Sequence, residues 1–224
     1  GVYLMNVGLV IGKFLPPHRG HIALIEFALK RCDKLIVLVH IKKSDYIDGT
    51  RRVIWLYEIF DSNPKITIDY SNDETLPESS VSDVEVSRVW ASYLTKRFPQ
   101  VRTIFSSEEY GNYLAKFMDI KHIIFDKDRA RYNISATKIR ENPYSNWVFI
   151  PEKIREHFIK KVCIYGPEST GKSTLTEKLA KHYNTEFVPE VAREIIGDDK
   201  VTISHIKKIY QAHANEILTK TKSA

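Results

Sequence analysis

The chain has 224 residues, with 34 Lys and Arg against 28 Asp and Glu, 43% hydrophobic and 28% charged. That composition excludes extended disorder, collagen and a coiled-coil rod, and the length suits one large domain or a complete domain with a smaller second piece. The net charge of +6 is spread evenly, 23 basic against 20 acidic residues before position 159 and 11 against 8 from there on; no run of about five or six like charges marks a nucleic-acid arm, and small anionic ligands account for the excess as well.

Apolar, β-rich runs alternate with runs of helical period along the first 126 residues. Residues 7–11 (VGLVI) read as a buried strand, 21–32 as an amphipathic helix, 34–39 (KLIVLV) as a strand and 51–60 as a helix. The alternation continues through a strand at 66–70, a helix over roughly 83–97, a strand at 101–107, a helix at 110–118 and a strand at 121–126. Strands that are continuous apolar runs, each followed by a helix, predict a doubly wound α/β domain, its parallel sheet covered on both faces.

Beyond Asp126 the pattern loosens into KDRARYN, a short helical stretch ISATKIREN, and a segment punctuated by Pro143 and Pro151. EKIREHFIKK reads as a connecting helix; a strand at 161–166, a Gly-containing loop and a helix from Lys172 then open a second α/β unit. The expected division is 1–158 and 159–224. The longest apolar runs fall far short of the roughly 18 residues a membrane span needs. Nothing before Val7 resembles a targeting segment, and Cys32 and Cys163 lie in apolar surroundings without CxxC spacing. A soluble cytoplasmic protein with two buried, reduced thiols is expected.

Between the first strand and the first helix stands Gly12-Lys13-Phe14-Leu15-Pro16-Pro17-His18-Arg19-Gly20-His21. In an open parallel sheet this crossover lies at the carboxyl ends of the strands, where ligands collect. Gly12 permits close backbone approach, the prolines stiffen the turn, and the helix start offers N–H groups to an anion. His18 and His21, three apart in the first turn, can face one bound group, so the string makes a polyphosphate site. The structural alternative is that His18 caps the helix and His21 packs on the sheet. A zinc site lacks Cys or carboxylate partners at a familiar spacing.

Residues 166–173, Gly166-Pro167-Glu168-Ser169-Thr170-Gly171-Lys172-Ser173, fit G-x-x-x-x-G-K-[ST] between an expected strand and an expected helix. In such an ATP-binding loop, formed here by Gly166, Gly171, Lys172, Ser173 and Thr174, backbone N–H groups cradle phosphates, the Lys reaches the β- and γ-phosphates and the Ser can ligand Mg²⁺.

The first string resembles the signature of the nucleotidyltransferase superfamily that includes nicotinamide-mononucleotide, pantetheine-phosphate and cytidylyl transferases. Ile134-Ser135-Ala136-Thr137-Lys138-Ile139-Arg140 resembles the second motif those proteins carry. Both motifs followed by the P-loop, with SSEEYG at 106–111 and VPEVARE at 188–194, resemble bifunctional bacterial proteins that couple nicotinamide-nucleotide adenylyltransferase to ribosylnicotinamide kinase. The resemblance implies a Rossmann-like nucleotidyltransferase domain, with attack by the phosphate of nicotinamide mononucleotide on the α-phosphorus of ATP giving NAD and pyrophosphate. His18, His21 and Arg140 would act on the phosphates around the reacting centre, with Gly12, Lys13, Phe14, Ser135 and Thr137 binding ATP. Trp90 would be a platform for the cationic nicotinamide ring, against core packing as the structural alternative. The structural alternative for Ser135 and Thr137 is a helix N-cap, with Arg140 solvated. Glu190 and Arg193 would lie on the nicotinamide riboside side of the kinase, against a surface ion pair, with Mg²⁺ as cofactor.

Two departures from that family are expected. Only six residues precede the first strand, too few for the helix-turn-helix some relatives carry, so no DNA-binding module is expected. From Lys161 only 64 residues remain, so the second domain reads as the N-terminal part of a P-loop kinase, apparently incomplete, with neither Asp198 nor Asp199 promoted to a metal-linked role. A different acceptor such as pantetheine phosphate, a cytidylyl reaction, and a non-enzymatic ATP or NAD sensor stay open as alternatives, and a homo-oligomer is compatible with the sequence.

Overall fold

A computed structural model describes residues 5–61, 63–78, 83–197 and 200–223, with backbone alone at Arg193, Lys222 and Ser223. Strands β1 (Val7–Gly12), β2 (Lys34–His40), β3 (Ile66–Ser71), β4 (Val101–Ser106) and β5 (Lys121–Ile124) form a parallel sheet in the order β3-β2-β1-β4-β5. Helices α1 (Arg19–Leu29), α2 (Gly49–Phe60), α3 (Val84–Arg97) and α4 (Tyr110–Met118) connect them in turn.

The doubly wound sheet expected from the alternating pattern is therefore present, and the strands show why. Leu9, Ile11, Ile36 and Leu38 pack with Trp90 and Leu94 of α3 and Leu114 of α4. Val10, Leu35, Val37 and Val39 pack with Leu24 and Ile25 of α1 and Leu56 of α2. Alternate residues of β1 and of β2 serve two cores, so these two strands read as nearly unbroken apolar runs. The strand order reverses between β1 and β4, which makes the crevice beyond Gly12 and Ser106 the switch point of the sheet, where open α/β folds bind ligands.

The chain divides into two compact units, Gly1–Ile154 and Arg155–Ala224. α5 (Ala136–Glu141) and a 3-10 turn at Trp147–Phe149 belong to the first, and the division falls within α6 (Glu152–Arg155). The second holds α7 (Lys172–Tyr183), α8 (Ala192–Ile196) and α9 (Ile203–Ser223). The single connecting helix expected over 152–161 is instead α6 followed by a 3-10 turn at Glu156–Phe158.

The strand expected at 161–166 is not formed. An apolar, β-branched run becomes a strand only when a neighbour takes its backbone N–H and C=O groups. Here no described residue pairs with it, and Val162 is 83% and Tyr165 91% exposed. The same lack of cover corrects one of the two thiol expectations: Cys32 is free and buried, whereas Cys163 is free and exposed. Among the described residues, no helix is long and apolar enough to cross a membrane.

Candidate active site

The loop after β1 delivers its side chains through two local constraints. Phe14 sits in the left-handed region (φ 49°) with its ring buried, edge-on to His21 at 5.0 Å. His18 is the N-cap of α1. Its Nδ1 accepts from the His21 backbone N–H (3.4 Å), while His21 Nδ1 accepts from the His18 backbone N–H (3.3 Å), and the two rings stack 3.6 Å apart. This reciprocal cap decides the tautomer. With each Nδ1 an acceptor, the neutral rings carry their protons on Nε2, the atoms pointing away from the helix backbone.

Both rings are neutral at pH 7. Burial, then the positive charge of Arg129, pushes His21 down to about 3. Burial first, with His21 and Arg129 behind it, holds His18 well below its ordinary value. The pair therefore offers two Nε2–H donors rather than two cations. The capping role that stood as the structural alternative for His18 is observed, and it orients the ring rather than competing with a ligand role.

The second motif is brought against the first. Arg140 Nη1 donates to the Leu15 carbonyl, inside the Gly12–His21 loop, and Nη2 donates to Thr137 Oγ1 at 3.0 Å. Ser135 caps α5 by accepting from the Lys138 N–H (3.2 Å), so its hydroxyl also serves the helix. Gly12 faces the Phe14 ring, 3.4 Å from where a Cβ would stand. Lys13 turns its ammonium to Asp45 (2.5 Å) and Glu78 (2.9 Å). Burial disfavours that ammonium, but the hydrogen bonds and charges of the two carboxylates outweigh it and raise the Lys13 pKa.

Trp90 is only 2% exposed, packs edge-on against His40 (4.8 Å), and donates its indole N–H to the Pro77 carbonyl at 3.1 Å. The open aromatic platform is corrected to a core residue bordering the crevice, because both its apolar ring and its N–H are already used.

Several residues escaped the sequence. Arg52 of α2 is fully buried, bonds the Lys13 carbonyl (2.5 Å) and the His40 carbonyl (3.3 Å), and pairs with Asp45 at 2.6 Å. A charged residue on the same helical stripe as Trp55 and Leu56 was the available signal. Arg129, in the left-handed region at φ 52° and paired to Glu108 at 3.4 Å, supplies charge to the histidine pair. Tyr110 donates its hydroxyl to the Ile11 carbonyl (2.9 Å), anchoring the start of α4 to the end of β1. Arg129 carries no one-dimensional mark, and Tyr110, though inside the SSEEYG string, shows its role only once β4 lies beside β1.

In the second unit, Gly171 takes φ 81° to close the loop before α7, with open space where a Cβ would be. Lys172 Nζ (2.6 Å) and Thr170 Oγ1 (2.8 Å) both bond the Pro167 carbonyl. Ser173 Oγ lies 3.5 Å from Glu190 Oε2, with Gly166 and Thr174 exposed on either side of this loop. A groove of about 660 Å³ runs past Cys163, Lys172, Ser173, Phe187 and Glu190. The Arg193 side chain and residues Asp198 and Asp199 lie outside the described residues.

These two sites coincide with two family matches. Residues 9–142 match the cytidylyltransferase-like family and residues 161–219 match the AAA domain family. The chain belongs to the cytidylyltransferase-like family. Over 95% of its length it is also 33% identical to the trifunctional NAD biosynthesis/regulator protein NadR of Salmonella typhimurium. It spans 56% of that relative's length. Among solved structures, NadR in complex with NAD and AMP-PNP matches with a TM-score of 0.77 and 27% identity, over 97% of this chain and 66% of that one. NadR in complex with NR matches with a TM-score of 0.77 and 28% identity, over 97% and 64%. The order of the two regions is thus NadR-like.

Proposed function

We propose that residues 1–158 form a nucleotidyltransferase domain that transfers the adenylyl group of ATP to nicotinamide mononucleotide, giving NAD and pyrophosphate. The observation that carries this reading is Arg140, whose guanidinium joins the ISATKIR segment to the Leu15 carbonyl of the histidine loop. That contact gathers a cation and two Nε2–H donors at the switch point of the sheet. Such a set is suited to holding a triphosphate tail and taking up negative charge at the α-phosphorus. No covalent nucleophile is required: the acceptor phosphate attacks, pyrophosphate leaves, and the protein aligns the two. Similarity to NadR, solved with NAD and with NR, supports nicotinamide as the base.

Residues 159–224 belong, in the same reading, to the N-terminal part of a P-loop kinase domain acting on nicotinamide riboside. Lys172 would turn from Pro167 to phosphate, and Glu190 with Arg193 would lie on the riboside side. Mg²⁺ fits the oxygen donors present, the Ser173 hydroxyl and the neighbouring Glu190 carboxylate. Among the described residues no three His, Cys, Asp or Glu side chains gather for a metal, so phosphate and water oxygens would complete its shell. The test is direct assay of NAD formation from ATP and nicotinamide mononucleotide. Arg140→Ala should raise the KM for ATP more than that for the mononucleotide, since its charge faces the polyphosphate. Equal loss for both substrates, or turnover with pantetheine phosphate in preference, would overturn the assignment.

A further inference from the structure

The backbone of the histidine loop is held by its carbonyls, and the donors come from three different helices. Tyr110 of α4 donates its hydroxyl to the Ile11 carbonyl at 2.9 Å, Arg52 of α2 donates Nη1 to the Lys13 carbonyl at 2.5 Å, and Arg140 of α5 donates Nη1 to the Leu15 carbonyl. These are alternate residues, interleaved with Gly12 and Phe14. A trans peptide unit is planar, with the C=O of one residue opposed to the N–H of the next. Fixing the Ile11 and Lys13 carbonyls therefore fixes the direction of the Gly12 and Phe14 N–H groups. A unit that turned over would present a carbonyl oxygen where an anion needs a donor.

The Tyr110 tether stands where the sheet leaves off. β1 stays paired with β2 as far as Gly12 opposite Val39, but its ladder with β4 ends at Leu9 opposite Ile104. Ile11 lies beyond that ladder, at the switch point, and the tyrosine hydroxyl serves its carbonyl in place of a strand. Firm neighbours place that hydroxyl. The Tyr110 ring is buried in one core with Leu9, Ile11 and Leu114, and α4 is pinned to β4 and β5 at Gly111, where no added Cβ fits. Burial, with the charge of Glu108 behind it, pushes the hydroxyl pKa up, so it stays protonated and able to donate at neutral pH.

The three tethers are not equivalent. Arg52 is also bound to Asp45 and the His40 carbonyl, so its removal strands a buried carboxylate. Arg140 brings charge to the site itself. Tyr110 brings no charge and reaches the loop through one carbonyl, which makes its contribution separable.

We infer that Tyr110 is a positioning residue for adenylyl transfer, its hydroxyl setting, through the Ile11 carbonyl, the loop that carries His18 and His21. This rests on the transferase reading above. The experiment compares Tyr110→Phe with Tyr57→Phe in the full chain. Tyr57 of α2 makes the same kind of bond, hydroxyl to the Ile68 carbonyl at 3.0 Å, but on β3, two strands away from β1. Each change removes one oxygen and keeps the ring. Tyr110→Phe should lower kcat for NAD formation about fivefold to tenfold, with the KM for ATP and for the mononucleotide within about twofold, because ATP keeps Arg140 while the histidine donors lose their alignment. Backbone amides within residues 12–21 should exchange faster with deuterium in that variant alone. Tyr57→Phe should leave kcat unchanged and speed exchange in β3. Equal loss of kcat in both variants, unchanged kcat in a folded Tyr110→Phe, or a raised KM without a lowered kcat would overturn the inference. If the unaltered chain makes no NAD, the transferase reading falls instead, and exchange decides the tether: faster exchange at 12–21 confined to Tyr110→Phe upholds it, and unchanged exchange there overturns it.

Discussion

In the proposed reading His21 serves as a neutral donor, because two features coincide: burial keeps it uncharged and the His18 backbone N–H occupies its Nδ1. Replacing it by Ala removes the Nε2–H and one half of the reciprocal cap. Turnover should fall by roughly 10²-fold or more with a much smaller change in KM, and lost capping should cost about 1 kcal/mol of stability. Because the working form is the neutral one, kcat should show no inflection from this pair near pH 6.5. A pH–rate profile that follows an imidazole titration there, or near-normal kcat in His21→Ala, would contradict the assignment. The histidines and Arg140 were legible because they sit in unbroken strings. Asp45, Arg52 and Arg129 were not, because each matters through a partner distant in sequence.

At the scale of elements, the approach of α4 to β4 and β5 is the tightest joint beside the crevice. Gly111 occupies the first turn of α4, and a Cβ there would stand 2.3 Å from His122 Nε2 and 2.5 Å from Ser106 Oγ. Those two atoms are themselves hydrogen-bonded at 2.9 Å, with His122 Nδ1 held by Asn112 Oδ1 at 2.7 Å. Gly111→Ala should therefore cost about 1–3 kcal/mol by overpacking, measured by urea unfolding. It should also displace Tyr110 from the Ile11 carbonyl and so disturb the phosphate loop. Wild-type stability in this variant would mean that α4 moves freely against the sheet. Periodicity located α4 correctly, yet its helical pattern says nothing of how close its glycine comes to β5, since that distance is set by packing across three elements.

For the whole molecule, acid sensitivity follows from buried His18 and His40 and half-buried His21. Unfolded, each takes up a proton near pH 6.5; folded, His40 resists until about pH 4 and His21 until about pH 3, with His18 also depressed. Between those limits the unfolded chain binds more protons, so stability is complete above pH 6.5. It falls as pH drops, by up to about 1.4 kcal/mol per pH unit for each histidine. Asp45 adds a later loss: burial opposes its ionisation, but Lys13, the Lys42 N–H and Arg52 hold its carboxyl below the ordinary 3.8, and that contribution fades as pH falls below this value. Urea unfolding from pH 7 to pH 4 checks the slope, and His40→Gln should flatten it; an identical slope in that variant would refute the histidine origin. The two units should also differ in hydrogen exchange. β1 and β2 are shielded on both faces, whereas in Arg155–Ala224 the buried described residues are Ala180 and Thr221. Amides of α7 should exchange well before those of β1, and equal protection would show the second unit to be as firmly built as the first.

The sequence by itself determined the doubly wound sheet, because a strand buried on both faces must be apolar throughout and a covering helix must repeat at 3.6 residues. It also determined the two phosphate-type loops, whose constraints are local: prolines, glycines and a helix start within ten residues. Only the tertiary structure decided which groups act together. The neutrality of His18 and His21, the contact of Arg140 with Leu15 and the enclosure of Trp90 all arise where distant segments meet. Desolvation and hydrogen-bond satisfaction are properties of that meeting. The same reasoning explains the run at 161–166, whose residues carry a strand's propensity but not the neighbour that would make it one.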